Sequence, residues 1–94
     1  NDKVFIICIE LNNKNAVAQF ENVIRGYSST YVKIMENTYA VRVSSSYTSE
    51  AIRDIVLDKM GGDCILFVMR SSIDAAWMIV DSADGWLKSV SNMK

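Results

Sequence analysis

Two unbroken apolar runs, Val4 to Ile9 and Cys64 to Met69, constrain this chain more than any other feature. Each has the length of a β-strand, and the first is rich in branched side chains at Val4, Ile6, Ile7 and Ile9. Successive side chains of a strand point to opposite faces, so a run that is apolar at every position asks for cover on both sides. Both runs therefore predict central strands of one sheet. Neither approaches the ~20 apolar residues needed to cross a bilayer, so no membrane partner is expected.

The segments between the runs supply the rest of a fold. After the first strand, Lys3 to Leu11, the residues Asn12, Asn13 and Asn15 offer turn chemistry and a helix N-cap. Ala16, Val17, Phe20, Val23, Ile24 and Tyr27 then recur at helical spacing up to Gly26, which predicts an amphipathic helix on a sheet. Thr30 to Glu36 and Thr38 to Ser44 alternate at period two around Asn37, a residue that tolerates positive φ, so a tight hairpin is expected. Thr48 caps a second helix, with Glu50 and Asp54 near its positive end. Ala51, Ile52, Ile55, Val56 and Met60 form its apolar face, and Gly61-Gly62 stops it. In the tail, Ala75 to Val80 reads as a short edge strand, and Ala83, Trp86, Leu87 and Val90 as one face of a short helix.

The order strand, helix, strand, strand, helix, strand predicts an α/β fold of the ferredoxin-like βαββαβ sandwich type, one domain over residues 1–94 with a strand-helix tail. Right-handed crossovers place both long helices on one side of the sheet. Apolar residues on the other side then need the tail or a second copy of the chain, so a homodimer is expected.

Composition removes whole classes of function. A chain of 94 residues hides about 60–65% of its unfolded surface, enough for one modest core. Without histidine there is no Ser-His-Asp or Cys-His arrangement and no histidine zinc ligand. The net charge is −1 and the isoelectric point about 5.2, with the ten basic residues scattered, so charge gives no indication of nucleic-acid binding. Cys8 and Cys64 sit in apolar runs and read as buried thiols in a reducing compartment, with a disulfide between adjacent strands as the alternative. The N-terminus lacks the charged-then-apolar layout of a signal peptide, so a cytoplasmic location is expected.

From Glu36 onward the chain resembles the small CRISPR-associated spacer-acquisition proteins, and more closely their stand-alone, non-CRISPR relatives. The matching residues are Tyr39 after the hairpin turn, the helix opening Thr48, Glu50, Ile52, Arg53, Asp54, and Asp63 before the fourth strand. Ala75, Ala76, Trp77 and the terminal Trp86, Leu87, Lys88 extend the likeness. The resemblance implies ferredoxin-like homodimers in which an aspartate closing the first strand faces its twin across the dimer axis. In some members the pair holds a divalent cation for phosphodiester cleavage. Here Glu10 takes that position, so the resemblance makes Glu10 the candidate catalytic and metal-ligating residue, with Mg²⁺ or Mn²⁺ as the cation. Its extra methylene displaces the carboxylate by about 1.5 Å, and the aromatic that precedes the family's aspartate is replaced by Ile9.

Other candidates follow from the residues themselves. Lys33 and Arg42 on the hairpin strands could form a phosphate-contacting strip, against the plainer reading of a solvated face. Arg25, Arg53 and Lys59 stand on helix faces, where ion pairs with Glu21, Asp54 or Asp58 are expected. Trp77 and Trp86 read as core or interface anchors in the tail, with base stacking as the alternative. The function expected is that of a non-catalytic homodimeric scaffold or partner-binding module that requires no cofactor. A metal-dependent endonuclease acting on RNA or DNA, and an inhibitor or antitoxin-like protein binder, are the alternatives.

Overall fold

The computed structural model describes residues 2–11, 14–61, 64–71 and 85–89. The elements run β1 (Asp2–Leu11), α1 (Asn15–Arg25), β2 (Thr30–Met35), β3 (Thr38–Ser44), α2 (Ser49–Met60) and β4 (Cys64–Arg70). A five-residue helical turn follows at 85–89. Among the described residues this makes a small α+β chain with one antiparallel four-stranded sheet, in the order β2-β3-β1-β4, and three helices. The expected edge strand at Ala75 to Val80 lies outside the described residues, as do Asn12, Asn13, Asp63 and Trp77.

The core forms on one side of the sheet. Phe5, Ile7 and Ile9 of β1 and Tyr39, Val41 and Val43 of β3 alternate onto this face. They meet Phe20 and Ile24 of α1 and Ile52 and Val56 of α2. Every one of these side chains is at most 3% exposed. The rings of Phe20 and Tyr39 meet edge to face at 5.0 Å, the arrangement that aligns a ring's positive edge with the other's negative face.

Local chemistry sets the helix ends, not always as the sequence suggests. The Thr48 hydroxyl accepts from the Ala51 N–H and opens α2, and Gly61 closes it at φ 72°, a left-handed position that suits a residue without Cβ. At α1 the expected asparagine cap is absent. Lys14 holds the N-cap position in a right-handed helical conformation, without a side-chain bond, and Asn15 is already helical. The β2–β3 hairpin forms, but no described non-glycine residue takes positive φ, so Asn37 does not use its tolerance for it. The strands instead shift register between Lys33 and Met35, and this irregularity accommodates the turn.

One expectation about the sheet is overturned. The apolar run of β4 does not mark a central strand: among the described residues β4 pairs with β1 alone and lies at the edge. The other partner of β1 is β3, which makes β1 and β3 the inner strands. The reason is that both faces of β4 are apolar while only one is covered. Leu66 and Val68 pack on the core, and Ile65 and Phe67 point away from it, 70% and 61% exposed.

Candidate functional site

The candidate site is the helix-free face of the sheet, assembled by strand register. The β1 residues opposite in phase to Phe5, Ile7 and Ile9 are Val4, Ile6, Cys8 and Glu10. Across β4, Ile6 pairs with Met69, Cys8 with Phe67 and Glu10 with Ile65. Across β3, Val4 pairs with Arg42, Ile6 with Ala40 and Cys8 with Thr38, and beyond them Thr30 and Val32 of β2 pair with Arg42 and Ala40. Opposed residues of a ladder share a face. The result is a mostly apolar surface with Ile65, Phe67, Met69 and Met35 standing out of it, each at least 48% exposed. At the opposite end from Glu10, Arg42 Nε donates to Asp2 Oδ2 at 2.9 Å, which neutralises both charges on this face.

Of the expected site residues, Glu10, Lys33, Arg42 and Trp86 lie among the described residues. Glu10 is exposed near the end of β1, on the helix-free face, with Ile65 and Phe67 as its neighbours on β4. No group of three or more His, Cys, Asp or Glu side chains suited to a metal ion occurs among the described residues. A carboxylate there suits the hard-oxygen chemistry of Mg²⁺ or Mn²⁺, which calls for several oxygen ligands together. Lys33 and Arg42 do not form one strip. Lys33 pairs with the core residue Tyr39 and so lies on the helix side, whereas Arg42 lies on the opposite side, bound to Asp2. The register shift falls after Lys33, so the alternation that separates the two is intact between them.

The cysteines are corrected too. Cys8 is exposed, because the face it lies on has no helix over it, and receives a long contact from the Thr38 hydroxyl at 3.9 Å. Cys64, half-buried, is paired with Leu11 and packs against the core on the other side. The two thiols occupy opposite faces of the β1–β4 pair, which rules out a bridge between them.

Trp86, in the 85–89 turn, is half-buried and donates its indole N–H to Thr30 Oγ1 at 3.1 Å. Two of the expected ion pairs are present on the helix surfaces, Arg25 with Glu21 at 3.9 Å and Arg53 with Asp54 at 2.8 Å. Sequence reasoning missed what Glu21 does beyond that pair. Its carboxylate accepts from the Tyr39 hydroxyl at 2.8 Å and from Tyr31 at 3.4 Å, tying α1 to both hairpin strands. Burial, then the Glu21 bond and charge, push the Tyr39 phenol well above its ordinary pKa. The only early signal was an acid on the helix face that carries Phe20 and Ile24. Beside this network lies an open hollow of about 300 Å³ lined by Arg25, Ser28, Ser29, Thr30 and Tyr31. The Ser28 and Ser29 hydroxyls both donate to backbone carbonyls, of Ile24 and Arg42, which leaves them as acceptors towards it.

Fold and surface together define a small α+β chain whose distinguishing feature, among the described residues, is an apolar sheet face over which neither α1 nor α2 lies. Comparison with protein-family models, with curated proteins and with solved structures found no match to the chain. No helix among the described residues is long and apolar enough to cross a membrane.

Proposed function

We propose that this chain is a self-associating scaffold module of ferredoxin-like topology, in which two copies pack their helix-free sheet faces together and the work is association rather than chemistry. The βαββαβ order with the sheet sequence β2-β3-β1-β4 supports the topology. The observation that carries the association is the exposed row Ile65, Phe67 and Met69, beside Cys8 on the neighbouring strand. Contiguous apolar surface of this kind marks an interaction site.

A second copy is the occupant that suits the face best. A two-fold interface sets a patch against itself, and here Asp2 and Arg42 already cancel within each copy, so stacking carries little like-charge cost. Four strands about 4.8 Å apart and some six residues long at about 3.3 Å each give a flat area of roughly 400 Å². Side-chain relief raises that towards the roughly 800 Å² per partner of an ordinary interface. Glu10 sits at the end of this face, where two copies leave it at the rim.

Sedimentation over a range of concentrations tests the reading. The wild type should dimerise, and Phe67→Ser should remain monomeric with an unchanged far-ultraviolet circular dichroism spectrum. A wild type that is monomeric throughout, or a Phe67→Ser variant that still dimerises, would overturn it. Phosphodiester cleavage that needs Mg²⁺ or Mn²⁺ and disappears in Glu10→Ala would replace it with the nuclease reading. Stoichiometric binding of Phe67-dependent wild-type monomers to a different protein would replace it with the binder reading.

A further inference from the structure

The two halves of the helix-free face differ in exposure, with Met35 the exposed exception on the β2–β3 half. On the β1–β4 half, Cys8, Ile65, Phe67 and Met69 are all exposed. On the β2–β3 half, Ala40 is fully buried and its cross-strand partner Val32 half-buried, although no element of the α1–α2 layer lies there. It is on this half that Trp86 binds Thr30, linking residues 56 positions apart in the chain. Trp86 and Leu87 are both half-buried, while Gly85, Lys88 and Ser89 are exposed. A helical turn this short has no stability of its own, so its contacts with the sheet hold it in place.

We infer that the 85–89 turn is a strap that competes with the second copy of the chain for the β2–β3 half of the sheet, and so sets the strength of self-association; this rests on the second-copy reading above. The physical basis is steric. A helix with its side chains is about 10 Å thick, so a flat partner sheet cannot close over the Thr30 end of β2 while the turn is bound there. With the strap docked, the partner reaches only the half that carries Ile65, Phe67 and Met69. With the strap released, it reaches both halves. Apparent affinity then scales with the fraction of protomers whose strap is released. The Trp86–Thr30 hydrogen bond helps to hold the strap, so its loss moves that fraction.

The test uses the full chain with Trp77→Phe as background, so that fluorescence reports Trp86 alone. Thr30→Val removes the hydroxyl that accepts the indole bond and keeps a branched side chain suited to a strand. Acrylamide quenching of Trp86 should rise in this variant. Sedimentation equilibrium should show dimerisation tightening about fivefold for each strap released, the factor that one lost hydrogen bond implies. Trp86→Ala, read by sedimentation alone, should tighten the dimer at least as much. Unchanged quenching with an intact background dimer overturns the strap by itself. A weaker dimer in either variant also overturns it and makes Trp86 an interface anchor. Monomers at every concentration, together with raised quenching, overturn the second-copy reading and leave the turn docked on its own sheet.

Discussion

The two faces of this sheet are made from the same strands and differ almost completely in what covers them. β1 sends Phe5, Ile7 and Ile9 into a core where none is more than 3% exposed. One position along, it sends Cys8 and Glu10 outward to solvent. On β4 the contrast runs between Leu66 and Val68, packed on the core, and Ile65, Phe67 and Met69, exposed. The helix-side face is closed within one chain, with its apolar groups locked by close packing. The other face carries comparable apolar chemistry without that closure. An aromatic ring on the closed side therefore has a folding role, the proposed association gives one on the open side a different role, and substitution separates the two.

The largest expected effect is on the closed face. Phe20→Ala empties a fully buried site against Tyr39 and should cost about 3–5 kcal/mol in denaturant unfolding, enough to unfold much of the population. Phe67→Ala, a change of the same chemistry on the other face, should cost a monomer less than about 1 kcal/mol at micromolar dilution. It should also abolish the dependence of the melting temperature on protein concentration. Similar losses in the two variants at high dilution would erase the distinction between the faces.

A smaller effect is expected where the closed face meets its polar border. Tyr39→Phe keeps the ring in the core and removes only the hydroxyl that donates to Glu21 at 2.8 Å. Hydrogen bonds to charged groups are worth about 1.5–3 kcal/mol, and Glu21 keeps Tyr31 as a longer-range donor at 3.4 Å. A loss of about 1–2 kcal/mol in chemical denaturation, without change in dimerisation, is the expected outcome. A change in sedimentation instead would mean that the α1–hairpin tie controls the open face.

Much of this contrast was legible in the amino-acid order, and its failures have a common cause. Element order and type follow from periodicity: Phe20 and Ile24 at helical spacing, Thr48 as a cap, Gly61 as a stop. These are local signals, and each is realised by a local contact. The errors concern neighbours distant in sequence. The runs of β1 and β4 state that two faces are apolar, but not whether one chain can cover both, so β4 was placed in the middle and Cys8 in the core. Lys33 and Arg42 alternate away from apolar neighbours in their own strands, yet hairpin register sends them to opposite sides. The Glu21 network was equally invisible, since its partners Tyr31 and Tyr39 lie 10 and 18 residues away. The ring of Trp86 marks it as an anchor candidate in the sequence, whereas its partner Thr30 is visible only in three dimensions.

The smallest effect at neutral pH sharpens the comparison at high pH. The Tyr27 hydroxyl is buried without a hydrogen-bond partner, its ring tilted against Tyr47 at 5.8 Å, and burial and then the neighbouring Tyr47 push its pKa upward. Tyr39 is shifted in the same direction, first by burial and then by Glu21. A phenol whose pKa is higher folded than unfolded holds its proton more tightly in the native state. The unfolded chain therefore loses protons first, and stability is complete below the ordinary phenol pKa near 10 and falls as pH rises above it. The melting temperature should decline between about pH 9.5 and 11. Lysines titrate in the same range, so the informative quantity is the difference between variants. Tyr27→Phe deletes a buried, unpartnered hydroxyl, so at pH 7 it should be neutral or slightly stabilising. Above pH 10 it should melt higher than wild type by a growing margin, because one group that must stay protonated is gone. Phe67→Ala, on the face open to solvent, should leave that alkaline slope parallel to the wild type's, and a slope flattened by Phe67→Ala but not by Tyr27→Phe would place the alkaline weakness at the interface instead of the core.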